Sequence, residues 1–155
     1  MITWQCKHFN ELRPAELHRV LALRCAVFII EQDCPYLDPD YKDEHCLHVM
    51  GWKNEELVAV ARIVSPGISY DEVSIGRVAT ADSVRGTGIG RELMVKTMEY
   101  IRHAFGPVPV RISAQSYLQK FYEDFGFVRT EKEEYHEDDI PHVEMIYRQS
   151  EQAGS

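Results

Sequence analysis

Three glycines at alternate positions, Gly86, Gly88 and Gly90, separate a stretch rich in β-branched residues from a long stretch of helical periodicity. This order predicts a strand, a tight turn and a helix. Several backbone N–H groups point toward one place in front of such a helix, and the helix dipole adds positive potential there. Glycine lets an anion approach the backbone closely and permits positive φ angles. Because Arg85 and Arg91 add mobile positive charge beside the turn, the sequence predicts a site for a phosphate ester.

Two common phosphate-binding motifs fit this turn poorly. The phosphate-binding loop of nucleoside triphosphatases needs a lysine after its last glycine, whereas Arg91 follows Gly90 here. The dinucleotide motif has the spacing Gly-x-Gly-x-x-Gly, whereas this chain has Gly-x-Gly-x-Gly. The first motif is therefore excluded, and the second is only weakly supported.

Length and composition restrict the class of protein. The 155 residues suit one domain, predicted from 1 to 149, with a polar tail at 150–155 that we expect to be disordered. A formal net charge of −8 argues against broad nucleic-acid binding, which needs a basic face. No stretch approaches the ~20 apolar residues of a membrane helix, and no signal pattern opens the chain. We expect a cytoplasmic protein that binds neither nucleic acid nor a membrane.

A metal site is not predicted either. His45 and His48 flank Cys46 in the most metal-like cluster, but residues three apart on a strand face opposite sides. With no export signal, we expect four reduced thiols, at Cys6, Cys25, Cys34 and Cys46.

Hydrophobic periodicity predicts the element order β-α-β-β-β-α-β-α-β-β. The first helix begins near Pro14, with an apolar stripe at Leu17, Leu21, Cys25 and Phe28. The predicted strands cover residues 2–6, 48–52, 57–64, 73–80, 108–114, 127–130 and 142–147, and the later helices follow the glycine turn and surround 118–125.

Two acidic loops interrupt this pattern. Residues 33–40 contain two prolines and three aspartates, which suits either a solvated connector or an acidic wall beside a substrate. Residues 131–139 form the second loop. Both would attract a cation over a distance of ~8 Å at physiological salt.

The glycine turn resembles a loop of the GNAT superfamily of acetyl-CoA-dependent N-acyltransferases. That loop reads Gln/Arg-x-x-Gly-x-Gly/Ala and is matched by Arg85, Gly88 and Gly90. The resemblance implies an α/β fold of GNAT type: a mixed sheet of about six or seven strands, flanked by about four helices and splayed at its central strands. Resemblance to the small ElaA-like subgroup is carried by the segments 23–28, 31–32, 34–36 and 51–53.

The resemblance also implies a function and site residues. The expected reaction moves an acetyl group from acetyl-CoA to a primary amine, by direct attack on the thioester. Tyr122 is the implied general acid for the departing thiolate, and Gln115, or Ser116, stands where many members place an asparagine. The implied coenzyme-binding residues are Val78, Ala79 and Thr80 for the pantetheine arm, Arg85, Gly86, Thr87, Gly88, Ile89, Gly90 and Arg91 for the pyrophosphate, and Gln115.

The general base and the acceptor are less well defined. Ser74 stands where the histone-acetylating branch has a glutamate, so Glu72, acting through water, is the tentative base. Other candidates for the base are Glu31, Asp43, Glu44, His45 and His48. Arg77 is expected to form an ion pair. The tentative acceptor-binding residues are Glu31, Asp43 and His48, for either a small cationic amine or a peptide amine.

Two other classes of protein remain open. A non-catalytic coenzyme A-binding regulatory protein would keep the phosphate site without the chemistry, and a nucleotide-binding protein would prefer ATP or NAD. Either a monomer or a homodimer is compatible with the sequence.

Overall fold

The computed structural model describes residues 1–148, so the predicted tail at 150–155 lies outside the described part of the chain. The strands are β1 (Ile2–His8), β2 (Cys46–Lys53), β3 (Glu56–Val64), β4 (Ser74–Thr80), β5 (Val110–Gln115), β6 (Val128–Arg129), β7 (Tyr135–Glu137) and β8 (Ile140–Tyr147). The α-helices are α1 (Pro14–Arg24), α2 (Ile89–Phe105) and α3 (Gln119–Glu123). A π-helical segment (Cys25–Glu31) extends α1, and short 3-10 turns cover Phe9–Glu11, Asp43–His45, Asp82–Val84 and Ser116–Leu118.

The strands form two antiparallel sheets. The first has the order β1-β2-β3-β4, and the second has the order β5-β8-β6 with β7 also paired to β8. The apolar run of β3 is buried on both faces after its first residue, as predicted, because helices cover both sides of the sheet.

The two sheets meet at one point. Val73 and Val110 form a parallel bridge, and the amide of Arg111 donates to the carbonyl of Val73 at 2.9 Å. Beyond this bridge β4 pairs only with β3 among the described residues, so β4 and β5 diverge. The predicted splay of the central strands is confirmed.

A β-bulge bends β4 beside this divergence. Val60 of β3 opposes Ala79, whereas Arg62 opposes Gly76, so two residues of β4 lie opposite Ala61 alone. One of the two, Arg77, has a φ of 50°, in the left-handed region that non-glycine residues rarely occupy. The bulge re-aims the strand next to the open edge of the sheet.

The buried face of α1 differs from the predicted apolar stripe. Its inward positions are occupied by Glu16, Val20 and Arg24, whereas Cys25 is exposed. Glu16 accepts hydrogen bonds from Lys7 at 3.0 and 3.1 Å, which compensate its burial. The stripe prediction was wrong because the buried positions 16, 20 and 24 each precede a predicted position by one residue, and paired charges occupy two of them.

The second acidic loop contains a strand that the sequence did not predict. Asp138 and Asp139 have φ angles of 51° and 64°, the signature of a two-residue type I′ turn, and they join β7 to β8. Tyr135 consequently pairs with His142 across the hairpin. This turn brings part of the acidic loop back against the sheet.

Two further properties concern the whole described region. No helix within residues 1–148 is long and apolar enough to cross a membrane. All four cysteines are free thiols.

Candidate active site

A cavity of about 850 Å³ lies where β4 and β5 diverge. Its floor is β4, and its far wall is the end of β5 followed by α3. The π-helical segment and the loop at 32–42 form a second wall, and the β7–β8 hairpin forms a third. The splay of the sheet thus creates a large concave surface.

Val78, Ala79 and Thr80 line the floor of this cavity. Because β4 has no strand partner on its β5 side beyond the bridge at Val73, backbone N–H and C=O groups along that edge are available to a ligand. An extended chain such as a pantetheine arm can pair with this edge as an added strand would.

The glycine turn lies beyond Thr80 and starts α2. Gly86 and Gly88 have φ angles of 80° and 85°, whereas Gly90 lies inside the helix. A Cβ added at any of the three would meet no heavy atom within 4 Å, so the glycines leave open space in front of the helix. The first N–H groups of a helix lack intrahelical partners, and no side chain caps α2 at Gly88. These features fit a pyrophosphate.

Arg85 and Arg91 are fixed in ion pairs rather than mobile as predicted. Arg85 lines the cavity, where it donates to the Glu31 carboxylate at 3.1 Å and to the Thr80 carbonyl at 2.9 Å. The hydrogen bonding from Arg85 to its carboxylate holds the pKa of Glu31 below the usual range. Arg91 donates to Asp124 at 2.8 Å, outside the cavity.

Tyr122 lies at the back of the cavity with only 7% of its surface exposed. Its ring packs edge-on against Phe121 and Phe127, with centroids 5.2 and 5.9 Å away. Burial raises the pKa of the phenol, so the hydroxyl is protonated at neutral pH. No side chain or backbone group within residues 1–148 forms a hydrogen bond with it. The hydroxyl is thus a proton donor directed at a ligand site.

Gln115 connects two walls of the cavity. Its side-chain amide exchanges hydrogen bonds of 3.3 Å with that of Gln32, at the end of the π-helical segment. Ser116 donates to Glu134 at 2.8 Å instead. Of these two, Gln115 is the one that lines the cavity.

Asp43 and His48, predicted to bind the acceptor, lie outside the cavity lining. Asp43 accepts hydrogen bonds from Arg24 at 2.9 Å and from Arg62 at 3.0 Å. Burial favours protonation, but these bonds outweigh it and keep the pKa of Asp43 low. Burial lowers the pKa of His48, whose Nε2 lies 2.9 Å from the Asp43 carbonyl. Both groups support the fold.

Three arginines neutralise the first acidic loop. Arg24 bonds Asp38 at 2.9 Å, and Arg77 Nη2 donates to the Asp38 carbonyl at 2.9 Å. Arg62 bonds Asp40 at 2.7 Å. The ion pair predicted for Arg77 is confirmed. The loop is therefore a wall of the cavity, but not an acidic one, because Arg24, Arg62 and Arg77 balance the charges of Asp38, Asp40 and Asp43.

Glu72, the tentative base, does not reach the cavity. Its two oxygens accept from Arg111 at 2.9 and 3.0 Å, and this pairing lowers the pKa of Glu72. A carboxylate held in this way is a weak base. Ser74, two residues on, lines the cavity. The geometry therefore gives no support to Glu72 as the base.

The sequence reasoning missed the functional surface of the β7–β8 hairpin. Glu137, Asp138 and His142 all line the cavity, and no Lys or Arg among residues 1–148 pairs with these two carboxylates. The signal was the run Tyr-His-Glu-Asp-Asp-Ile-Pro-His, in which two aspartates suited to a type I′ turn separate short extended segments. The carboxylates of the cavity lining that lack an arginine or lysine partner in the described part of the chain therefore lie on this hairpin.

Within residues 1–148, no three His, Cys, Asp or Glu side chains are grouped so as to hold a metal ion.

The split sheet, the bulged central strand and the glycine turn together define an acyltransferase fold of the expected type. The family model described as an acetyltransferase (GNAT) domain matches residues 26–149. The chain belongs to the GNAT family of acetyltransferases.

Relatives of this chain are found among bacterial proteins. Protein ElaA of Escherichia coli strain K12 is 46% identical over 147 residues, which cover 94% of this chain and 95% of ElaA. The crystal structure of Escherichia coli ElaA superposes with a TM-score of 0.89 at 45% identity, covering 96% of this chain and 100% of that one. An acyl-CoA N-acyltransferase from Pseudomonas aeruginosa gives a TM-score of 0.90 at 38% identity, covering 95% and 99%.

A more distant likeness concerns the fold alone. A GNAT family acetyltransferase from Elizabethkingia anophelis, solved with acetyl-CoA bound, has a TM-score of 0.65 at 14% identity, covering 95% of this chain and 97% of its own.

Proposed function

We propose that this protein transfers an acetyl group from acetyl-CoA to a primary amine, by direct attack of the amine on the thioester. The observation that carries the proposal is the position of Tyr122. Its side chain is only 7% exposed, it lines the cavity between the diverging strands, and its hydroxyl has no hydrogen-bond partner among residues 1–148. A hydroxyl placed in this way can donate its proton to a bound ligand.

The coenzyme would be held by groups along one continuous path. Backbone amides at Gly88, Ile89 and Gly90 would bind the pyrophosphate at the positive end of α2. The open edge of β4 at Val78–Thr80 would pair with the pantetheine arm, which brings the thioester toward Tyr122. A backbone N–H of this bulged strand would polarise the thioester carbonyl as it gains negative charge.

Tyr122 would then supply a proton to the departing thiolate. Burial keeps the phenol protonated, and the surrounding aromatic rings exclude water from the departing sulfur.

Replacing Tyr122 with phenylalanine tests the scheme. We expect Tyr122→Phe to lower kcat for acetyl-CoA-dependent thiol release by about 10²-fold, because only the proton donor is removed. Calorimetric affinity for acetyl-CoA should change less than about twofold, since the ring packing is retained.

Tyr100→Phe, on α2 and away from the cavity lining, is the matched control and should keep wild-type turnover. Unchanged kcat in Tyr122→Phe would remove the assigned role. Tight coenzyme binding with no thiol release from any amine would instead favour the non-catalytic coenzyme A-binding class, and stabilisation by ATP or NAD but not by coenzyme A would favour a nucleotide-binding protein.

A further inference from the structure

His142 lies on the cavity wall in one defined orientation. Only 8% of its surface is exposed, and its ring stacks on Tyr135 with centroids 6.1 Å apart. Nδ1 lies 2.7 Å from the Ile140 carbonyl. Since a carbonyl oxygen only accepts hydrogen bonds, Nδ1 carries the proton, and the neutral ring therefore has its lone pair on Nε2.

That lone pair faces a carboxylate. Nε2 of His142 lies 3.7 Å from Oε2 of Glu137, so two hydrogen-bond acceptors confront each other when the imidazole is neutral. An N–H group of an incoming ammonium, or a proton on Nε2, converts this arrangement into an attractive one.

A chain of hydroxyls fixes Glu137. Oε1 accepts from Ser113 at 2.9 Å, and Ser113 lies 2.6 Å from the Tyr135 hydroxyl. Because the carboxylate can only accept, the single Ser113 proton points to Glu137 and the Tyr135 hydroxyl donates to Ser113. This network holds one carboxylate oxygen and leaves the other for His142 and the cavity.

Charged groups of both signs surround His142. On the strands that pair with β8, the cations are Arg111, which is bonded to Glu72 and Glu144, and Arg129. The cavity lining carries the cations Lys42, Arg62, Arg77 and Arg85, of which the three arginines are paired with Asp40, Asp38 and Glu31. The carboxylates of the lining that have no arginine or lysine partner within residues 1–148 are Glu137 and Asp138, and the other titratable groups near His142 are Tyr135, Tyr70, Tyr117, Glu144 and Cys34.

We propose that Glu137 and His142 form the acceptor-amine site, in which Glu137 binds the ammonium group and His142 Nε2 removes its proton. This inference rests on the proposed function, and it makes the substrate class a cationic primary amine. Both residues line the same cavity as Tyr122, and His142 lies directly opposite Gln115 on the paired strand. The amine and the thioester would therefore enter one space.

The proton balance is complete without any further reagent. His142 takes one proton from the ammonium and later releases it to solvent. The free amine attacks the carbonyl carbon, the C–N bond forms and the C–S bond breaks. The departing sulfur takes the Tyr122 proton, and the second proton lost by nitrogen restores Tyr122 through solvent.

The decisive variant is His142→Asn, whose amide NH₂ can keep the hydrogen bond to Ile140 while the Nε2 base is removed. Thiol release is measured with spermidine, glucosamine and a lysine peptide as acceptors. We expect kcat/KM to fall by about 10²–10⁴-fold for the acceptor that wild type uses best, with unchanged acetyl-CoA affinity by calorimetry.

Glu137→Gln tests the carboxylate separately and still reports if His142→Asn does not fold. We expect KM for the amine to rise about 10- to 100-fold, because a charged hydrogen-bond acceptor is lost. Asp139→Asn, in the same turn but outside the cavity lining, removes an equal charge and should match wild type.

The two levels of the proposal fail differently. If the wild-type protein turns over and His142→Asn behaves like it, the amine site is wrong but the acetyltransferase function stands. Should His142→Asn not fold, the same conclusion would follow from Glu137→Gln behaving like wild type. Absence of both acetyl-CoA binding and thiol release in wild type would overturn the proposed function and the amine site together.

Discussion

Arg24 is buried in the interior, 1% exposed, between two carboxylates of the loop that follows it in sequence. Nε donates to Asp38 and Nη1 donates to Asp43, each at 2.9 Å. A buried charge is tolerated only when partners of this kind replace its lost hydration. Arg24 therefore fixes the path of the loop that forms one cavity wall.

Replacing Arg24 with methionine should destabilise the protein strongly. The side chain keeps a similar volume, but Asp38 and Asp43 lose a hydrogen-bonded counter-charge in a buried place. We expect the free energy of unfolding, measured by urea denaturation, to fall by about 3–5 kcal/mol. Arg19→Met, at an exposed position of the same helix, should change it by less than about 0.5 kcal/mol. Equal losses in the two variants would contradict the role given to Arg24.

The same residue shows why single side chains were harder to predict than elements. A helical stripe is recognised by its apolar members, so Glu16 and Arg24 seemed to belong to the solvent face. Their partners lie elsewhere in the chain, and the pairing of Arg62 with Asp40 spans 22 positions. When the tertiary contacts are unknown, the sequence does not distinguish a buried arginine from an exposed one. Tyr122 was named from the sequence only because the resemblance to the GNAT superfamily implied it.

The turn before α2 needs glycine at two positions for two different reasons. Gly88 has a φ of 85°, which costs an L-residue about 1–2 kcal/mol, whereas Gly90 is helical and meets no atom within 4 Å. The first glycine is required by the backbone, and the second by the ligand that would occupy the space in front of it.

Alanine substitutions should separate these requirements. Gly88→Ala is expected to lower the free energy of unfolding by about 1 kcal/mol, and Gly90→Ala to raise it by roughly 0.5 kcal/mol, since alanine is the better helix former. Gly90→Leu should keep the fold but weaken calorimetric binding of acetyl-CoA, because its side chain extends into the phosphate space. Destabilisation by both alanines, or full coenzyme affinity in the leucine variant, would contradict this division.

Most elements follow from local pattern, and the exceptions have a physical cause. The strand–turn–helix around Gly88 and the hairpin at 53–56 have strong periodic or turn signals, and both are present in the structure. β7 has only three residues, all within a stretch rich in charge, and it exists because β8 offers an edge to pair with. The sequence pattern therefore missed the strand that carries Glu137, and with it one side of the candidate amine site.

For the whole molecule, the distribution of charge matters more than its sum. The two acidic loops were expected to attract a cationic acceptor, but arginines pair with Asp38, Asp40 and Asp43 of the first loop. The carboxylates of the cavity lining without such a partner among residues 1–148 lie on the β7–β8 hairpin. Predicting which acidic segment faces the ligand required the tertiary pairing, although the net charge was known from composition.

This pairing predicts how stability depends on pH. Asp40 and Asp43 have pKa values held low by hydrogen bonds from arginines, despite the opposing effect of burial. His48 has a pKa lowered by burial. For each of these groups, the unfolded state binds more protons than the folded state at pH values between the folded-state pKa and the unfolded-state pKa. The free energy of unfolding therefore rises with pH across that range.

We therefore expect the free energy of unfolding from urea titrations to be greatest near neutral pH and to decrease on acidification. The decrease should begin below about pH 6.5 as His48 must become charged on unfolding, and it should steepen below about pH 4 as the paired aspartates are protonated. Asp40→Asn should be less stable than wild type at pH 7 but show a flatter acid dependence, so the two curves converge toward low pH. Asp71→Asn, which removes an exposed carboxylate, should run parallel to wild type. Parallel curves for Asp40→Asn and wild type would mean that the arginine–aspartate pairing does not govern the acid stability of this fold.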